Sequence, residues 1–382
     1  MLLESIEYTR LKGKSKEWCI KGRDDKPVHF GNFNLIVGKN SAGKSQTLAV
    51  IREIAGLFSG CQHLSEVRYV SAKYRLSYKD GSDAYQYTLE YENKTVVHES
   101  LLLNGQEKIN RANKQLYSEE LGSWEQADIS DNNIFVSLYN TKKYPYLEKL
   151  YIWGSSLRNS FFSNQLQKNY LVDNPAVLEM VSPEELKDSA LLLYHFNQGI
   201  TLFGEIFEKR IIDDMKVIGY FISAISIQKT AYGYALCVQE SDQEDITDQL
   251  DMSQGMFRAL SFLIYLNFAV LNKVSVCVLI DDLGEGIDFN RSGILMDFLI
   301  RAIDKSGMQI FITTNDRYIM NKLPLDYWSV VERHPKESVF FNYHNSKDIF
   351  DDFKYTGLSN FDFLATDFYI RGFNEDEEYK EE

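Results

Sequence analysis

Three things are scarce in this 382-residue chain: proline, cysteine and positive charge. With 6 prolines, it is not a proline-rich linker or an extended recognition segment. The 4 cysteines, Cys19, Cys61, Cys237 and Cys277, lie far apart. They fit neither a zinc pattern nor a small disulfide scaffold, and read as reduced core thiols of a cytosolic protein. The formal charge of −14 disfavours a sequence-blind grip on DNA, which requires many Lys and Arg side chains facing phosphates, though a local basic strip stays possible. No apolar run reaches membrane-spanning length without charges, and Met1–Glu7 has neither the basic region nor the apolar stretch of a signal peptide. No membrane partner is expected, and the expected location is the cytoplasm. What is abundant is aromatic: 24 Tyr and 24 Phe, within a chain that is 44% hydrophobic and 25% charged. That composition belongs to a globular protein with a sizeable core.

The most informative stretch is Leu35-Ile36-Val37-Gly38-Lys39-Asn40-Ser41-Ala42-Gly43-Lys44-Ser45. It reads as an apolar strand, a glycine-bounded loop and a helix start. Gly38 to Ser45 fits G-x-x-x-x-G-K-[ST] without mismatch. Two glycines let the backbone curl so that successive N–H groups face an anion. Lys44 brings a compact charge to the β- and γ-phosphates, and the Ser45 hydroxyl can ligate Mg²⁺. The expected ATP-binding set is Gly38, Lys39, Asn40, Ser41, Ala42, Gly43, Lys44, Ser45 and Gln46.

Patterning divides the chain into four expected segments. Residues 1–110 hold this loop and a β meander, with Val67–Val70 as its first strand. Residues 111–228 read as a mostly helical insertion, in which Ser182-Pro183-Glu184-Glu185 has the form of a helix start. Residues 229–345 return to strand–helix alternation, which implies a mainly parallel, helix-flanked sheet. Residues 346–382 form a tail, acidic and disordered from Glu375. The fold class is therefore α/β: a P-loop nucleotide-binding domain with a mixed sheet, flanking helices, an antiparallel meander and a helical insertion.

Two motifs in the second half complete the constellation. Val276–Ile280 runs as a buried strand into Asp281 and Asp282. An acid at such a strand end can hold Mg²⁺ (Asp281), and the next can orient the attacking water (Asp282). Glu285 is the alternative for that water, and simple capping of the Leu283–Gly286 turn is the structural alternative for both acids. Ser253-Gln254-Gly255 opens an apolar helix and forms a second anion-binding end. One loop already serves the chain's own nucleotide, so this end suggests the nucleotide of another subunit. A plain helix cap is the other reading.

Gly38–Ser45, Ser253–Gly255, Ile280–Asp288 and Ile312-Thr313-Thr314-Asn315 resemble, in order and spacing, the Walker A, signature, Walker B with D-loop, and switch loop of ABC-type ATPases. The resemblance is to the soluble branch of chromosome-maintenance, recombination-mediator and OLD-type (overcoming lysogenization defect) ATPases, and it covers about half the chain. It implies a homodimer or higher homo-oligomer closing head-to-tail on two ATP·Mg²⁺. It also implies a separate effector protein, a nuclease or toxin, in phage defence. Departures from the pattern are Asp282 where the family has a catalytic Glu and Asn315 where it has a switch His; both imply slow hydrolysis. Asn315-Asp316 can equally cap the helix that follows. Gln165 and Gln167 are the candidates for the Q-loop glutamine. Competing functions are a DNA repair or recombination ATPase, an ATP-binding scaffold with little turnover and, more distantly, a small-molecule kinase.

Overall fold

The computed structural model describes residues 1–161, 168–174, 176, 178, 191–272 and 277–373. The chain forms two compact units, Met1–Ser155 with Phe311–Glu382, and Ser156–Ile310.

In the first unit, a mixed sheet draws strands from both chain ends. Its order is Phe33–Val37, Trp328–His334, Glu337–Asn342, Trp18–Gly22, Leu2–Arg10, Ala72–Asp80, Asp83–Glu92, Thr95–Leu103 and Gln106–Glu107. Phe33–Val37 pairs parallel with Trp328–His334, and Glu337–Asn342 pairs parallel with Trp18–Gly22. The meander from Ala72 to Leu103 is antiparallel. Phe33–Val37 is buried at every residue, as a strand covered on both faces must be. The meander instead alternates: Tyr74, Leu76 and Tyr78, then Tyr85, Tyr87, Leu89 and Tyr91, point inward, the period-2 pattern of a one-sided sheet. Helix Lys44–Ser59 covers that face with Leu48, Ile51, Ile54, Ala55 and Phe58, spaced for one helical stripe. The Phe58 ring meets Tyr87 edge-on at 4.9 Å.

The second unit pairs Arg158–Phe161 in parallel with Cys277–Asp281. Helices Leu191–Phe203, Glu205–Ile218, Gln254–Asn272 and Phe289–Ser306 and an antiparallel sheet of Ile222–Thr230, Gly233–Glu240 and Ile246–Asp248 complete it. Gln254–Asn272 is apolar and long enough to cross a membrane, but most of it is buried, which is how a core helix reads.

Several expected boundaries shift. The units divide at 155/156 and 310/311, not at 110, 228 and 345. The expected helical insertion 111–228 carries strands Gln115–Ser118, Ser123–Gln126, Arg158–Phe161 and Ile222–Thr230. Gly219, left-handed at φ 93°, ends the helix before Ile222, and the β-branched residues that follow favour extended chain. Val67–Val70 is irregular, bent chain rather than a strand, with the Val70 carbonyl accepting from Lys94 N. Residues 346–373 are helical at Lys347–Phe353, Asn360–Ala365 and Phe368–Arg371, because Phe350, Phe353, Phe363 and Phe368 cluster there. The Ser182 helix start, Gln165, Gln167 and the acidic end from Glu375 lie outside the described residues.

One buried carboxylate ties the meander to the segment after it. Glu99 is 1% exposed; it accepts from the Tyr87 hydroxyl at 2.8 Å and from Phe135 N at 2.9 and 3.1 Å. Arg111 Nη1 stands 3.5 Å away. Burial raises its pKa from 4.5 to about 7, against the pull of Tyr87, Arg111 and Phe135 N. A carboxyl raised on folding contributes stability that is complete below its unfolded pKa and is lost as pH rises through the folded value. Glu99→Gln is expected to remove a stability decline on the order of 3 kcal/mol between about pH 4.5 and pH 7. Urea unfolding across that range checks it; parallel pH slopes for wild type and variant would refute the assignment.

Candidate nucleotide site

The phosphate loop is closed by its own backbone. Ala42 N donates to the Lys39 carbonyl at 3.1 Å, and Thr47 N to Gly43 O at 2.9 Å. Lys44 is buried, and its Nζ donates to Gly38 O at 2.8 Å and Lys39 O at 3.4 Å. The ammonium therefore sits inside the arch of the loop. Lys39, Asn40, Ser41, Ser45 and Gln46 form the exposed rim.

The glycines are required sterically as well as conformationally. A Cβ on Gly38 would stand 2.5 Å from the Val331 carbonyl oxygen, and one on Gly43 would stand 2.5 Å from Ser338 Oγ. Gly43 also lies at φ 111°, a region L side chains avoid. Ser338 is the brace behind the loop. Its hydroxyl donates to Ala42 O at 2.7 Å and accepts from Trp18 Nε1 at 3.0 Å. Both bonds are buried, and each joins residues about 300 positions apart in the chain. Nothing in the local pattern around Ser338 marks it. In the same unit, buried residues 311–313, the last of strand Gln309–Thr313, lead to an exposed Asn315. The cap of helix Arg317–Lys322 is Asp316, whose side chain accepts from Tyr318 N at 2.7 Å. Capping therefore does not use Asn315.

The second unit brings Ser253, Gln254, Gly255 and Glu285 together. Ser253 Oγ accepts from Met256 N at 3.2 Å, capping helix Gln254–Asn272. A Cβ on Gly255 would lie 2.7 Å from Tyr220 Oη and 3.2 Å from Gly286 O, so the Ser253–Gly255 stretch packs on the turn after Asp282. Arg258 Nη1 donates to the Glu285 carbonyl. Arg291 lies over the Tyr220 ring at 4.1 Å and donates to its hydroxyl at 3.2 Å. Burial raises the Tyr220 phenol, and the Arg291 charge opposes the rise. Ser253, Gln254, Glu285 and Gly286 are exposed, giving this end of the unit a polar, accessible face. Asp281 ends its strand 5% exposed, and Asp282 follows in the left-handed region at φ 55°. Tyr220, Arg258, Arg291, Trp18 and Ser338 were not among the residues expected from sequence. Only the charge of Arg258, one turn past Gly255, offered a local signal.

No protein-family profile and no curated relative matches the sequence. Solved structures do. An SMC head bound to the C-winged helix domain of ScpA is similar with a TM-score of 0.53 and 11% identity, over 89% of this chain and 97% of that one. An SMC head with an extended coiled coil, bound to the C-terminal domain of ScpA derived from Pyrococcus furiosus, is similar with a TM-score of 0.51 and 11% identity, over 92% and 99%. The chain has the α/β fold of an SMC head, the ABC-type ATPase fold.

Ser338→Ala would leave the Trp18 indole N–H and the Ala42 carbonyl short of a buried partner. A loss of about 1–3 kcal/mol is expected, together with weaker nucleotide binding, because the brace touches the loop directly. Denaturant unfolding and ATP titration of the same variant check both. Unchanged values in each would mean that the loop holds its shape unaided.

Proposed function

We propose that this chain is an ATPase that binds ATP·Mg²⁺ on the Gly38–Ser45 loop and acts as a conformational switch. The observation that carries this reading is the loop itself. A buried strand feeds a backbone arch whose two glycines admit no Cβ, with the Lys44 ammonium held inside. Such an arch presents N–H groups and a fixed cation to a polyphosphate. Lys39 to Ser41 and Gln46 border the triphosphate; Ser45 and Asp281 would hold the Mg²⁺. Among the described residues no group of three or more His, Cys, Asp or Glu side chains could hold a metal. The bound ion would neutralise charge on the phosphates.

Asp282 orients the attacking water, with Glu285 as the alternative, and Asn315 contacts the γ-phosphate as a neutral hydrogen-bonding group. Ser253, Gln254 and Gly255 meet the triphosphate of a second copy, so the working form is a head-to-tail dimer. The exposure of Ser253 and Gln254 at a helix start supports that role. The effector it controls would be a separate protein, a nuclease or toxin in phage defence, and the location cytoplasmic. Both follow from the resemblance to soluble defence ATPases. The head domains with similar folds are themselves bound to a separate protein. A role on DNA is disfavoured by the charge of −14. The scaffold reading, with ATP held and barely hydrolysed, draws on the short Asp282 side chain and the neutral Asn315.

Lys44→Ala is expected to weaken ATP binding by about 10- to 100-fold, the worth of a charged hydrogen bond, with a lower melting point without ligand because the Gly38 and Lys39 carbonyls lose its Nζ. Equal affinity by calorimetry would remove the loop from the site. Asp282→Asn should bind normally but hydrolyse far more slowly, read as single-turnover phosphate release; a wild-type rate would transfer the role to Glu285.

The dimer has its own test. Ser253→Asp keeps a good helix cap but sets a carboxylate where the partner's triphosphate would arrive. ATP binding should survive while ATP-dependent dimerisation and hydrolysis are lost. Sedimentation of Ser253→Asp with ATP that matches wild type would reduce Ser253 to a cap.

A further inference from the structure

The C-terminal helices meet the Gly38–Ser45 loop through Asp367. Asp367 Oδ2 lies 3.0 Å from Lys39 Nζ. Lys39 is the second residue of the loop, and its own carbonyl accepts from Ala42 N and Lys44 Nζ. The Asp367 side chain is 25% exposed and the Lys39 side chain 71%. The other carboxylate oxygen, Asp367 Oδ1, is buried with no hydrogen-bond partner among the described residues. Asp367 also sits at φ 54°, left-handed backbone that the surrounding packing must maintain. That packing is aromatic. Phe368 stacks edge-on to Phe353 at 5.1 Å, and Tyr369 to Phe341 of the sheet at 5.4 Å. The carboxylate is therefore held in place by a rigid cluster, whereas Lys39 is long and exposed.

A carboxylate with one oxygen buried and unpartnered depends on Lys39 for its compensation. A triphosphate arriving on the loop competes for the same ammonium and meets the Asp367 charge beside it. We propose that Asp367 is a positioning residue that restrains Lys39 and thereby lowers the affinity of the loop for triphosphate. The C-terminal helices thus act as a brake on nucleotide binding. The inference rests on the nucleotide reading of the loop proposed above.

The test uses the full chain with ATP·Mg²⁺. Asp367→Asn keeps the shape and removes the charge; it should bind ATP roughly fivefold more tightly and lower KM by the same factor with kcat unchanged. Lys39→Met should bind ATP more weakly than wild type, and Asp367→Asn should give a smaller gain in that background than in wild type, because the two side chains act as a pair. Hydrogen exchange on the wild-type protein provides a readout independent of folding of the variants: residues 360–373 should lose protection when ATP binds. Asp367→Asn that melts lower with ATP affinity unchanged, or wild-type exchange at 360–373 indifferent to ATP, would overturn the brake. If wild type binds ATP and Lys44→Ala does not, such a result leaves the nucleotide reading standing and removes the brake alone. Wild type that binds no ATP removes both.

Discussion

The phosphate loop is a backbone device, and its shape depends on one buried hydroxyl. Ser338 Oγ receives the Trp18 indole N–H and gives its own proton to Ala42 O. An arch of N–H groups attracts anions only while its carbonyls are turned away and satisfied elsewhere. Ser338 satisfies one of those carbonyls from behind, and Lys44 Nζ occupies two more from within. Trp18 and Ser338 come from opposite ends of the chain. Their strands are neighbours because Glu337–Asn342 runs parallel to Trp18–Gly22 in fixed register, Ser338 opposite Ile20. Sheet order is thus a condition of the site: a slip of one residue would turn Ser338 to the other face of the sheet.

The same dependence explains what could be read from residue types alone. The loop, its strand and its helix were legible because their signals are local: glycine spacing, an apolar run, an amphipathic stripe. The meander was legible from Tyr74 to Tyr91 through its alternation. Ser338, Tyr220 and Asp367 were not. Each is an ordinary residue whose role comes from what distant register places against it. The segment 346–373 was expected to be a tail because its apolar residues, Phe350, Phe353, Phe363 and Phe368, are spread thinly among acids. They make a core by gathering on one another and, through Phe363, on Trp328, with Tyr369 beside them on Phe341, contacts that no window of sequence contains. Unit boundaries failed for a related reason: contact, not composition, assigns residues 111–155 to the first unit.

Charge placement follows a similar logic. A chain with a formal charge of −14 opposes a polyanionic ligand at long range, so attraction has to be local. The loop provides Lys44 buried and Lys39 at the rim, and surface charges beyond roughly 10 Å are screened at moderate salt. Near such a site one carboxylate counts for more than many remote ones. Asp367, held by aromatic packing against the loop, is of that kind, whereas the acids of the chain end lie outside the described residues.

Asp282, the acid proposed to orient water, differs from the Glu of the resembled family, and its backbone suits an Asp. Asp282 lies at φ 55°, where a Cβ is crowded and only Gly, Asn and Asp are common. The turn it opens closes by Glu285 N donating to Asp282 O at 3.1 Å and Ile287 N to Gly284 O at 3.1 Å, and it brings Gly286 against Gly255. The backbone that packs this turn on Gly255 thus also accommodates Asp282 in the left-handed region. A carboxylate one methylene shorter reaches less far toward a γ-phosphate. The slow turnover proposed for this chain would then have its origin in the turn that packs on Gly255.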